Sequence, residues 1–96
     1  MPGAYWIANV TVKDDAEYAK YAVLATEAII AHGGHYLARG GTAIQKEGHA
    51  HPRNVVAHFP SLEAANACYE CATYQLALTH ALKAADRNLV IVEAVE

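Results

Sequence analysis

Positive charge is scarce in this chain. Seven Lys and Arg stand against ten Asp and Glu, so 96 residues carry a net charge of −3 with the histidines neutral. No basic stripe exists to track a phosphate backbone, and nucleic-acid binding is not expected. Long apolar runs are missing as well: none approaches the ~18 residues that a membrane-spanning helix needs, so no membrane partner is expected. The opening Met-Pro-Gly-Ala-Tyr-Trp has neither the basic nor the apolar region of a secretory leader. A cytoplasmic location follows as the expectation, with the two cysteines reduced and no disulfide framework. Phosphate loops, dinucleotide fingerprints and serine elbows are also absent.

What is plentiful is apolar surface. Apolar residues make up 54% of the chain, above the usual ~45–50%. A chain of this length reads as one domain, residues 1–96, and buries only roughly 60–65% of its unfolded surface. The excess predicts that a second copy covers part of it.

The pattern of elements is legible. Ala4 to Val12 reads as a strand that is apolar on both parities, Trp6, Ala8 and Val10 on one and Tyr5 and Ile7 on the other. Asp14 or Asp15 caps a helix over residues 15–32, with apolar positions at helical spacing and Gly33 in the left-handed position beyond its end. His35 to Arg39 is a short strand, and Gly40-Gly41 allows a kink, after which Thr42 to Glu47 resumes as an extended segment. Residues 48–52 form a loop, and Arg53 to Phe59 is the third strand. Ser61 caps a helix from Leu62 to about Cys71, and a further turn or helix covers Thr73 to Lys83. Asn88 to Val95 is the last strand, again apolar on both parities. The predicted fold is α+β, in the order β-α-β-β-α-β: a four-stranded antiparallel sheet with the helices on one face. The other face needs a cover, and two sheets packing face to face as a homodimer would supply it.

The segments Ala4-Tyr-Trp-Ile-Ala-Asn-Val, Ala31-His-Gly-Gly-His-Tyr-Leu-Ala-Arg-Gly-Gly, Phe59-Pro-Ser-Leu-Glu-Ala-Ala, Tyr74-Gln and Leu89-Val-Ile-Val-Glu together resemble the domain-of-unknown-function family DUF1330. The resemblance covers nearly the whole chain, and its second segment is the most specific. It implies a ferredoxin-like fold in a dimeric α/β barrel and no established activity. Related barrels include small monooxygenases, haem-degrading enzymes and isomerases, so the fold alone does not fix the chemistry. Where the family shows an aromatic pair followed by Ser-Pro, this chain has Cys68-Tyr69-Glu70-Cys71-Ala72. The missing proline is expected to let the helix run on.

Arg39 leads the candidate site residues. A guanidinium keeps its charge, so burial demands a carboxylate, carbonyl groups or a ligand anion. It reads either as an anchor for a small acid or enolate, or as a structural partner of Glu93, Glu47 or helix-end carbonyls. His32 and His58 are candidate general bases, since imidazole titrates near neutrality. The alternative for His32 is a helix-terminus contact, and for His58 a hydrogen-bonded place in a strand. Tyr69 and Tyr74 would orient a ligand or pack the core. Asn9, polar in the middle of a strand, would line the site or satisfy a neighbouring backbone. His49 and His51 share one side of an extended segment, but two ligands do not make a metal site, and no metal or cofactor is expected. Cys68-x-x-Cys71 has redox spacing but falls near a helix end rather than at its N-terminus, and Cys68 reads as core. These residues suggest cofactor-independent chemistry on a small anionic or aromatic molecule. The alternatives are a dimeric ligand-binding or stress module without turnover, and a haem or metal binder.

Overall fold

The structure is a computed structural model and describes residues 2–96. The elements are β1 (Ala4–Val12), α1 (Asp15–Ala31), β2 (His35–Arg39), β3 (Arg53–Phe59), α2 (Leu62–Glu70), α3 (Ala72–Ala84) and β4 (Ala85–Glu93). All strand pairs are antiparallel, in the order β2-β3-β1-β4. This is the α+β, ferredoxin-like arrangement expected from the sequence, with one refinement and several shifted boundaries.

The refinement is the second helical segment. It breaks at Cys71 although no proline is present, which corrects the expectation of a continuous helix. Cys71 takes an extended conformation (φ −69°, ψ 156°), and its Sγ accepts a hydrogen bond from the Tyr74 amide at 3.4 Å. The thiol thus caps α3 much as a serine would. Residues 42–47, expected to be extended, form no strand. They belong to an exposed connection between β2 and β3. β4 starts three residues before the expected Asn88, directly from the end of α3, where Lys13 N and Asp14 N both donate to the Ala84 carbonyl.

Asp14 is the cap of α1, its carboxylate accepting from Glu17 N. Gly33 follows the helix with φ +78°, a conformation that a Cβ would strain. Glu17 in the first turn reaches His80 Nδ1 on α3 at 2.5 Å and Lys20 at 3.3 Å. The His80 hydrogen bond, aided by Lys20, holds the Glu17 carboxyl below its ordinary value of 4.5. A depressed carboxylate contributes stability above its unfolded pKa and loses it as pH falls through the folded one. The protein is therefore expected to lose stability below about pH 4.5, and Glu17→Gln should be less stable than the parent at pH 7 and flatten that limb of the curve, the two converging in acid. Denaturant midpoints against pH would show this.

Trp6, Phe59 and Tyr74 fill the space between sheet and helices. The Trp6 ring lies 4.9 Å from Tyr74 and 5.1 Å from Phe59, and its Nε1 donates to the Ala65 carbonyl at 3.0 Å. Buried alanines at positions 25, 28, 77 and 81 allow the helices a close approach. β1 and β3 turn Trp6, Ala8, Val10, Ala57 and Phe59 towards the helices. The opposite parity, with Tyr5, Ile7, Val56, His58, Val90 and Val92, forms the open face of the sheet. Val90 and Val92 there are 54% and 42% exposed.

Candidate functional site

The chain's three arginines stand on three different strands, Arg39 on β2, Arg53 on β3 and Arg87 on β4. Antiparallel partners share a face of the sheet. Arg53 and Arg87 both pair with Val10, one on each side, and Val10 is buried under the helices. Both arginines are thereby turned to the helix side.

Arg39 reaches the same side by a different device. Tyr36 pairs with Ala57 and Ala38 with Val56, so Leu37 is an extra, unpaired residue, a β-bulge. Strict alternation would put Tyr36 and Arg39 on opposite faces. The bulge shifts the phase by one residue and brings Arg39 opposite Val55, on the helix side. The Arg39 guanidinium then lies over the Tyr36 ring, 4.6 Å from its centre. Tyr36 is tied to α1 by a 3.1 Å hydrogen bond between its hydroxyl and Thr26 Oγ1. Gly40, at φ +72°, leaves room for Arg53: a Cβ there would stand 2.5 Å from Arg53 Nη1.

The three arginines line one pocket between α1 and the sheet. Ala8, Val55, Ala57 and Leu89 form its floor, and Tyr18, Tyr21, Ala22 and Ile29 its roof. The space among the lining atoms is about 450 Å³ with the mouth included, but it is narrow. The enclosed cavity is about 30 Å³.

No Asp or Glu lines this pocket. Among the described residues, the ion pairs are Lys13–Asp86, Lys20–Glu17 and His80–Glu17, and none involves an arginine. Arg87 instead donates from Nη2 to the Tyr21 hydroxyl at 2.8 Å and from Nη1 to the Tyr74 hydroxyl at 3.2 Å. The two hydroxyls are 3.0 Å apart. Burial pushes both phenols above their ordinary value of 10, so they remain neutral and do not balance the charge. The Nε atoms of Arg53 and Arg87 are buried and have no hydrogen-bond partner. A structural arginine is ordinarily buried with a carboxylate, because an unpaired buried cation costs several kcal/mol. A pocket that gathers three cations and leaves two donors unmet has the charge and the free donors to hold an anion.

The lining contains no His, Cys, Lys, Asp or Glu. The pocket can hold an anion and stabilise a developing negative charge. Its lining supplies no general base of its own.

The structure separates the residues singled out from the sequence. Arg39 is at the mouth of the pocket, exposed and unpaired with Glu93 or Glu47. Tyr74 is fully buried and positions Arg87. Tyr69 stacks on Tyr74 at 5.1 Å and faces a neighbouring apolar cleft with Leu78 and Leu82, which shares Arg87 and Leu89 with the pocket. Asn9, His32 and His58 do not line it. Asn9 is on the open face, its Nδ2 donating to Asn54 Oδ1 at 2.8 Å. His32 caps the end of α1, its Nδ1 2.8 Å from the Ala28 carbonyl. His58 is on the open face, 5.4 Å from both Tyr5 and His35. His51 meets Thr11 through Nδ1 at 2.9 Å. No group of three metal-ligating side chains occurs among the described residues. Cys68 is buried, and burial pushes its thiol up to about 12.

Arg53 and Arg87 were not singled out from the sequence. Arg87 lies two residues before Leu89, on the parity of Leu89 and Ile91 that faces the helices. A cation on the apolar parity of a strand was the available signal. It was hidden because the strand was begun one residue too late to include it.

The DUF1330 model, a domain of unknown function, matches residues 3–95. The chain belongs to this family. Similar solved structures carry the same fold at low identity. A protein of unknown function from Rhodopseudomonas palustris has TM-score 0.76 and 17% identity, with 99% of this chain and 84% of that chain covered. SnoaB, a cofactor-independent oxygenase from Streptomyces nogalater, has TM-score 0.65 and 10% identity over 100% and 96% of the two chains. A dimeric protein of unknown function and ferredoxin-like fold from Bacteroides fragilis has TM-score 0.55 and 15% identity over 96% of each. No curated protein matches this DUF1330 chain. No helix among its described residues is long and apolar enough to cross a membrane.

Proposed function

We propose that this DUF1330 protein binds a small aromatic anion in the arginine-lined pocket and acts on it without a cofactor, by stabilising negative charge that builds up in the ligand. The convergence of all three arginines on one pocket without a carboxylate carries the reading. Aromatic character fits a space lined by Tyr18, Tyr21 and Tyr36, whose rings supply apolar contact. Preorganised guanidinium groups favour the conjugate base of an acidic C–H or O–H group, which is how such a site would promote reaction. The fold shared with a cofactor-independent oxygenase is compatible with this chemistry. The lack of a His, Cys, Lys, Asp or Glu in the lining supports a second reading, a ligand-binding module without turnover.

A thermal-shift series tests the binding. Benzoate and hydroxybenzoates should raise the melting temperature in proportion to the logarithm of their concentration, and benzamide should not. Equal shifts with benzamide would defeat the proposal. Oxygen uptake or product formation with any acid that binds then separates the enzyme from the binding module.

The same reading has the protein as a homodimer through the open sheet face, where Val90, Val92 and Tyr5 meet the second copy. Sedimentation equilibrium should give twice the chain mass, and Val90→Asp should shift it towards the monomer. Arg39→Ala should weaken acid binding and leave the dimer intact, because the pocket and the open face lie on opposite sides of the sheet.

A further inference from the structure

The placement of the arginines goes beyond an affinity for anions in general. We infer that the ligand carries two acidic groups, one at each end of a flat unsaturated body. This inference rests on the anion-binding reading above and narrows it to a substrate class, the planar dicarboxylates.

The cations are separated along the pocket. Arg53 and Arg87 flank β1, one on each neighbouring strand. Two strand spacings put their backbones roughly 9–10 Å apart. Arg39 and Arg53 border the open cleft at the mouth, together with Val23 and Thr26. Arg87 closes the inner end and walls off the apolar cleft beyond. Between the two ends the lining is Ala8, Val55 and Leu89 below and tyrosine rings above.

Two unmet donors mark two positions. The buried Nε of Arg53 and the buried Nε of Arg87 both lack a partner, and they belong to opposite ends. A carboxylate is about 2 Å across its oxygens and serves one guanidinium fork at a time. A single acid group therefore leaves the other end unmet. A dianion neutralises the two less exposed cations directly, and Arg39 adds its charge at the mouth. The small free space and the tyrosine rings over it favour a thin unsaturated body with planar acid groups over bulkier tetrahedral ones.

Isothermal calorimetry on the unmodified protein decides the matter. The probes are benzene-1,3- and benzene-1,4-dicarboxylate, each beside its own monomethyl ester, which keeps the shape and removes one charge. At least one diacid should bind tenfold or more tightly than its ester. In Arg87→Met that preference should fall below twofold. Diacids that bind no better than their esters overturn the inference and leave the single-anion reading standing. Failure of all four probes and of benzoate overturns both. The comparison in the parent protein holds even if the variant fails to fold.

Discussion

An Arg87→Met protein is expected to fold at least as stably as the parent while binding acids ten- to a hundredfold more weakly. The two effects have one origin. Arg87 is half-buried and in no ion pair, compensated by two phenol hydroxyls and by the Tyr21 ring, whose centre is 4.5 Å from the guanidinium carbon. Withdrawing part of such a charge from water, with its Nε left without a partner, is costly. Hydrogen bonds to neutral phenols and a cation–π contact return only part of it. Methionine fills similar space without the charge, and Tyr21 and Tyr74 can still bond to each other. The loss in binding follows from removing one charge-assisted contact, about 1.5–3 kcal/mol. Denaturant unfolding and calorimetry on the same sample would measure both. A drop of several kcal/mol in stability would show instead that the arginine serves the fold.

Trp6→Ala should have the largest effect on stability of any single change in the core. The ring is 4% exposed and contacts Phe59, Tyr69 and Tyr74. Removing a buried tryptophan costs about 3–5 kcal/mol in lost contacts and cavity. The Ala65 carbonyl would also lose its donor. A chain of this length holds only about 5–14 kcal/mol in total, so the melting temperature should fall on the order of 20 °C. Trp6→Phe keeps most of the ring and should lose far less. If both variants melted alike, the hydrogen bond to Ala65 rather than the ring would be the main contribution.

The sequence carried the order of the elements because that order depends on local periodicity. Strand alternation in β1 and β3, the Asp14 and Ser61 caps and the left-handed Gly33 are each decided within a few residues. The assignment of faces was less accessible. β1 and β4 are apolar on both parities, so no pattern tells the helix side from the open side until the chain is folded. The element boundaries placed the break near Cys71, but the missing proline argued for a helix that runs on, because a cysteine seldom caps a helix, and here its sulfur does. The site was half visible for the same kind of reason. Arg39 stood out beside its glycines, but its true companions are set by register across β1, a non-local property. The two histidines stood out by their chemistry, yet one is held by a helix carbonyl and the other lies on the far side of the sheet.

The single surplus residue at Leu37 lets one short edge strand turn both Tyr36 and Arg39 to the same side. Straightening the bulge with Leu37 kept would set Leu37 opposite Val56 and Ala38 opposite Val55, and would send the Arg39 side chain through the sheet plane, from the pocket side to the surface proposed to meet the second copy. Deleting Leu37 instead would leave Ala38 and Arg39 on their present partners and the arginine on the pocket side. A slip of one residue in this short edge strand can therefore redirect a charged group without altering a single amino acid.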